Sequence, residues 1–319
     1  MMNDKTVVLN AGLVNYDNNI DYSEIASDVT IYDHTDEAEI LERVQGQTVV
    51  VTKEMKVSGD IIRQFPDSVK LICEAGTGYN NIDLAACREK GIMLCNIPAY
   101  SSERVAHTAI MMMLNLASAM QIQLRMLAVG DRDNFHKHLM VPHTEINGKT
   151  LGLIGYGHIA KEIAKVAKAL GMNIIVYTRT KRPDEDGVHF VDFETVLRMS
   201  DYLSLNCPLN DQTRHLIDAD ALGKMKRTAF IINTARGALI DEAALVQALQ
   251  NRRIGGAGLD VQEVEPLPDG SPLYTLDNVI ITPHIGWRGL ETRKRLVSIL
   301  KDNITAFVNG EPINRVDNI

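Results

Sequence analysis

Leu151-Gly-Leu-Ile-Gly-Tyr-Gly-His-Ile-Ala160 decides how the rest of this chain is read. A short apolar run leads into a turn on Gly155 and Gly157. An apolar-periodic helix, predicted over 159–170, starts directly after it. A strand, a glycine turn and a helix N-terminus together form a pyrophosphate site, because unbonded backbone N–H groups and the helix dipole both favour an anion there. The pattern is G-x-G-x-x-A, with Ala160 at the third small position, where helix and strand pack closely. Glycine turns are common, so the meaning of this one depends on whether its surroundings supply a dinucleotide-binding sheet and a hydride-transfer site.

Working outward, the sheet is there. Apolar runs at 151–154, 173–177, 202–205, 229–233, 258–261 and 279–281 alternate with helical patterns, which predicts six parallel strands of a doubly wound domain. Upstream lies a similar series. Lys5–Asn10, Val29–Tyr32, Gln47–Thr52, Lys70–Cys73 and Ile92–Cys95 read as strands, and Asp83–Lys90 reads as a short helix closed by Gly91. A Met-rich helix is predicted over 101–129, apolar over much of its circumference and so buried between domains or against another subunit. A second long helix is predicted over 290–308. These two helices flank the second series. We therefore expect an α/β protein of two Rossmann-like doubly wound parallel-sheet domains with a cleft between them. The first domain is 1–100 with 288–319, and the nucleotide domain is 101–287.

Composition narrows the partners. The chain has 319 residues, 45% hydrophobic and 23% charged, with a net charge of −8. That balance argues against nucleic acid or an anionic membrane as the main partner. The most apolar stretch, 110–120, is interrupted by Asn115 and Ser118 and is too short to span a bilayer. The N-terminus carries no charged-then-apolar signal pattern. Cys73, Cys87, Cys95 and Cys207 form no C-x-x-C, and three sit in apolar runs. Free thiols and a cytoplasmic setting are expected. His136, His138 and His143 have no carboxylate or thiolate to complete a ligand set, so no metal is expected.

Four places offer chemistry. At the end of the 173–177 strand, a site for the unphosphorylated dinucleotide would have an acid for the ribose 2′-hydroxyl. Here it reads Thr178-Arg179-Thr180-Lys181-Arg182, which suits a 2′-phosphate; the alternative is a solvated basic turn. Arg236 follows the 229–233 strand in Asn233-Thr-Ala-Arg-Gly237. Glu265 lies beyond the 258–261 strand, and His284, behind Pro283, beyond the 279–281 strand. Singly these are an ion-paired arginine, a rim carboxylate and a core histidine. Together they converge on the carboxyl edge of one sheet, where such folds bind ligands.

Several further stretches complete a pattern: Ala75-Gly-Thr-Gly-Tyr-Asn-Asn-Ile-Asp83, Asn96-Ile-Pro-Ala-Tyr100, Ala257-Gly-Leu-Asp-Val261, Glu265-Pro-Leu-Pro268 and Pro283-His-Ile-Gly-Trp287. With the motifs above, the chain resembles the D-isomer-specific 2-hydroxyacid dehydrogenases over essentially its whole length. It is most similar to their glycerate dehydrogenase and hydroxypyruvate/glyoxylate reductase branch. The resemblance implies Arg236, Glu265 and His284 as catalytic residues. It implies substrate binding by Lys53, Gly76, Thr77, Gly78, Arg236 and Trp287. It implies cofactor binding by Gly155, Tyr156, Gly157, His158, Ile159, Thr178, Arg179, Thr180, Cys207, Pro208, Thr213, Thr234, Ala235, Asp260 and His284, with Asp260 on the nicotinamide carboxamide. The cofactor is expected to be NADP in preference to NAD, the substrate a small 2-oxo acid, and the assembly a homodimer. Two departures stand out: Val105-Ala-His107-Thr108 replaces the usual V-A-E/Q-H-T, and the acid is missing at Thr178; Asn206 stands where the family often has His or Asn near the cofactor. Rival readings are a phosphate-bearing substrate such as 3-phosphoglycerate, for which Lys53 and Lys56 are the basic candidates, another 2-oxo acid, and a non-catalytic nucleotide-dependent sensor on the same fold.

Overall fold

A computed structural model describes residues 4–180 and 182–317 of the chain. It forms two units, Met1–Ser101 with Arg288–Ile319, and Ser102–Trp287. In the first, β1 (Thr6–Val8), β2 (Val29–Ile31), β3 (Val49–Thr52), β4 (Leu71–Glu74) and β5 (Met93–Cys95) form a parallel sheet in the order β2-β1-β3-β4-β5. This is the flavodoxin-like order, whose ligand edge lies at the β1/β3 switch point. β1, β3 and β4 are buried throughout, as a sheet covered on both faces requires, and each buried aliphatic side chain contributes about 1.5–3 kcal/mol. At the carboxyl edge the strands deliver Asn10, Lys53 and the turn that begins at Ala75.

The helix Leu290–Val308 belongs to this unit. Its Asn303 Nδ2 donates to Asn96 O at 2.9 Å. Arg293, 2% exposed, reaches from it to the loop after β1, donating to Asp17 Oδ1 and Oδ2 at 2.8 and 2.6 Å and to Val14 O at 2.8 Å.

The second unit holds β6 (Thr150–Ile154), β7 (Asn173–Tyr177), β8 (Val188–Phe190), β9 (Tyr202–Leu205), β10 (Phe230–Asn233), β11 (Gly256–Leu259) and β12 (Val279–Ile281), all parallel, in the order β12-β11-β10-β9-β6-β7-β8. Counted from β6 this is 3-2-1-4-5-6 with a seventh strand added, the doubly wound dinucleotide order. The helix His158–Ala169 follows β6 and buries Ala160, Ile163, Ala164 and Ala167, one face at helical spacing.

Three expectations are corrected. The sheet has seven strands, not six: β8 is three residues long and carries no apolar run. β11 lies two residues earlier than read, because the chain leaves the sheet at Asp260, whose N–H makes a last bond to Asn233 O. The helix read over 101–129 is two, Ser102–Ala117 and Met120–Ala128, bent by 68°. Ala119 sits in the left-handed region at φ 48°, and the freed carbonyls find other donors: Ala117 O accepts from Thr144 N, and Ser118 O from Gln123 Nε2. Ten residues of the first helix are buried; none of the second is. No single helix among the described residues is long and apolar enough to cross a membrane.

Candidate active site

The glycine turn forms as its sequence requires. Gly155 has φ +90°, and a Cβ there would come within 2.7–2.9 Å of the Asn206 carbonyl and Cys207 N, so the position excludes side chains. Gly157 caps the helix, and a Cβ on it would meet nothing within 4 Å. Among the described residues the amides of Gly157, His158 and Ile159 donate to no protein group. Three amides at the N-terminus of a twelve-residue helix, facing open space, fit a pyrophosphate. Two buried side-chain oxygens at the same sheet edge, Asn206 Oδ1 and Thr234 Oγ1, lack partners among the described residues. Asn206 donates its amide to Ser204 and so leaves its oxygen for a ligand. The resemblance puts Asn206 near the cofactor, and its orphaned oxygen suits that place. Cys207, Pro208 and Thr213 line the next loop, which Thr213 Oγ1 closes on Pro208 O at 2.7 Å. Burial pushes the Cys207 thiol up to about 11.

Beyond β7, the Thr178 hydroxyl donates to Thr180 O at 2.7 Å. Arg179 is exposed and makes no hydrogen bond or ion pair with the described residues. Arg182 instead lies over the Phe190 ring, 6.0 Å from its centroid. Lys181 lies outside the described residues.

Arg236, Glu265 and His284 each follow a strand of the same sheet. Asn233, wholly buried, shapes the first turn by accepting from Ala235 N and donating to Arg236 O. A Cβ on Gly237 would fall 1.8 Å from Gln262 O, so only glycine lets the Arg236 turn press against the segment that leads to Glu265. The Arg236 guanidinium donates to Ala235 O at 2.7 Å through one Nη, and its other nitrogens have no acceptor among the described residues. His284 Nδ1 is 2.9 Å from Glu265 Oε2, while Glu265 Oε1 accepts from Gln262 N at 3.1 Å. The carboxylate thus orients the imidazole, and proton chemistry falls to Nε2.

Asp260 holds this arrangement in place. It is 1% exposed, and its carboxylate accepts from Thr282 Oγ1 at 2.6 Å, Ile285 N at 2.9 Å and Gly286 N at 2.8 Å. His284 N donates to Asp260 O at 2.7 Å. These bonds pin the His284–Gly286 strap, in which His284 has φ +52°, a conformation an L side chain keeps only when its surroundings impose it. Trp287, at the end of the strap, is buried.

In the first unit, the amides of Gly76, Thr77 and Gly78 donate to nothing among the described residues. The turn is fixed by its carbonyls: Gly76 O accepts from Ile97 N, and Thr77 O from Asn96 Nδ2. Successive free N–H groups on a fixed turn suit a carboxylate. Lys53, expected to reach substrate, is 3% exposed, and its ammonium is bonded to Glu54 at 2.7 Å.

Residues 110–286, more than half the chain, match the family described as D-isomer specific 2-hydroxyacid dehydrogenase, NAD binding domain. The chain belongs to the D-2-hydroxyacid dehydrogenases. A glycerate dehydrogenase of Methylorubrum extorquens is 41% identical over 88% of each chain. A hydroxypyruvate reductase of Blautia hydrogenotrophica is 33% identical over 92% of this chain and 93% of its own. The crystal structure of a glyoxylate reductase from Paecilomyes thermophila superposes with a TM-score of 0.86 at 32% identity, covering 99% of both. As a member of this family the protein is a nicotinamide-dependent oxidoreductase acting on small 2-hydroxy or 2-oxo acids.

Proposed function

We propose that the protein reduces hydroxypyruvate or glyoxylate with NADPH. The observation that carries this is the His284–Glu265 pair, held at the sheet edge by the Asp260 strap next to an arginine with donors to spare. Bound NADPH supplies the hydride to the carbonyl carbon. His284 Nε2 gives its proton to the carbonyl oxygen, and Glu265 stabilises the imidazolium that exists before that transfer. Arg236 polarises the carbonyl and binds the carboxylate, and the Gly76, Thr77 and Gly78 amides take the carboxylate as well.

NADP over NAD is supported by Thr178, where an acid would repel the 2′-phosphate, and by Arg179, which has no acceptor among the described residues. The enclosure of Lys53 on Glu54 leaves Lys56 as the exposed lysine of that loop, which disfavours a phosphate-bearing substrate. We read the assembly as a homodimer: Leu124, Leu127, Val129, Phe135 and Met140 are exposed along one segment, an apolar display that a second copy would cover. Free cysteines suit a reducing, cytoplasmic setting. Initial rates of NADPH and NADH oxidation with a panel of 2-oxo acids test the reading. It predicts turnover of hydroxypyruvate or glyoxylate and a higher kcat/KM for NADPH. No turnover of any 2-oxo acid leaves the nucleotide-dependent sensor standing.

A further inference from the structure

Directly behind the free amides of Gly76–Gly78 lies a buried charge cluster. A Cβ on Gly76 would sit 3.1 Å from Lys53 Nζ and 3.2 Å from Glu74 Oε1, so an ammonium and a carboxyl oxygen both border the space a side chain there would take. Glu74 is fully buried and accepts three hydrogen bonds, from Thr52 Oγ1 at 2.8 Å, Asn81 Nδ2 at 2.8 Å and Glu54 N at 2.9 Å. Those bonds tie the end of β3 and the 78–81 segment to β4. Glu54 adds a second carboxylate on the Lys53 ammonium. Tyr100, 3% exposed, packs on the same cluster.

Two carboxylates behind an anion-binding turn are a liability. Through a poorly screened interior they repel the carboxylate that the amides attract. Lys53 offsets them. Burial works against its charge, yet Tyr100, Glu54 and Glu74 around it hold the amine above the ordinary lysine value, so it stays an ammonium. Burial leaves the Glu74 carboxyl above its ordinary value, although Lys53 and its three donors work in the opposite direction. The backbone of Lys53 is fixed as well, its N–H donating to Asn10 Oδ1 at 2.9 Å while its carbonyl accepts from Asn10 Nδ2 at 2.5 Å.

We propose that Lys53 is a positioning residue for an anionic substrate: enclosed behind Gly76, its ammonium offsets Glu54 and Glu74 and keeps the Gly76–Gly78 amides attractive to a carboxylate it does not itself touch. The proposal rests on those amides being the substrate's carboxylate site. It replaces direct contact by Lys53 with a charge acting through the turn.

The test is steady-state kinetics on the full chain with hydroxypyruvate at saturating NADPH, alongside fluorescence titration of NADPH. Lys53→Met keeps the volume and removes the charge. It should raise KM about tenfold or more, leave kcat within about threefold and leave NADPH affinity unchanged. Adding Glu54→Gln to Lys53→Met should recover a large part of that KM loss. Glu54→Gln alone, at a partly exposed position and so tolerable even if Lys53→Met does not fold, should lower KM by about twofold or more. An unchanged or higher KM in Glu54→Gln overturns the proposal. So does a Lys53→Met defect confined to kcat, or one that Glu54→Gln does not relieve, since a packing role would behave in that way. Failure of the underlying reading shows separately, as an unmodified protein that turns over no 2-oxo acid.

Discussion

Asp260→Asn is the sharpest probe of how the site is held. The substitution keeps the shape and turns one acceptor oxygen into an NH2. Oδ1 now meets Ile285 N and the Thr282 hydroxyl, and Oδ2 meets Gly286 N. Whichever way the amide turns, its nitrogen faces a backbone N–H. One charge-assisted hydrogen bond is lost, about 1.5–3 kcal/mol, and a buried donor is left unsatisfied, about 1–3 kcal/mol more. The expected destabilisation is roughly 3–5 kcal/mol. At about 2–4 °C per kcal/mol for a unit of this size, Tm should fall by roughly 6–20 °C. The strap that loosens carries His284 at φ +52°, and a displacement of about 1 Å from Glu265 and the reacting carbonyl costs on the order of a hundredfold in rate. Thermal unfolding by circular dichroism and kcat, measured on one preparation, give both numbers. A Tm within about 2 °C of the parent together with kcat within about threefold would refute the claim that this carboxylate holds the catalytic strap.

Two further outcomes follow from single contacts. Arg179→Ala should raise the KM for NADPH by roughly tenfold or more and leave that for NADH nearly unchanged, since a charge-assisted contact to the 2′-phosphate is lost; Thr178→Asp should invert the preference, measured as the ratio of kcat/KM for the two cofactors. The Arg293 guanidinium holds the Asp17 carboxyl well below the usual carboxylate range, so the folded chain keeps this group ionised to lower pH than the unfolded chain does. Stabilisation by the pair is therefore complete above about pH 4 and drains as the pH falls further. Asp17→Asn should lower Tm at neutral pH, and the gap to the parent should narrow as the pH is taken from about 4 toward 2.

The fold was legible where local pattern and tertiary role agree. Strands buried on both faces announce themselves as runs such as Val49-Val-Val, and Gly155 announces a turn because no other residue tolerates φ +90° against the Asn206 carbonyl. Legibility failed where tertiary contacts decide. β8 survives because Val188 packs at the edge beside β7, not because three residues prefer a strand. The break at Ala119 follows no glycine or proline, and depends on Thr144 and Gln123 reaching back from later in the chain. In the site, Arg236, Glu265 and His284 could be placed at strand ends, and the 2.9 Å contact between the last two supplies what strand ends alone do not. Asp260 was visible as a residue in a motif, but not as the acceptor of three bonds from a segment more than twenty residues away. Lys53 looked like a loop cation, and only the fold shows its ammonium enclosed against Glu54.

The central claim is proton transfer by His284 to a 2-oxo acid reduced by NADPH. Its most direct test is the rate of NADPH oxidation on hydroxypyruvate by the parent and by His284→Ala, with NADPH affinity measured on both. The account predicts a loss of several orders of magnitude in kcat with cofactor binding retained. Near-parental turnover by His284→Ala would contradict it.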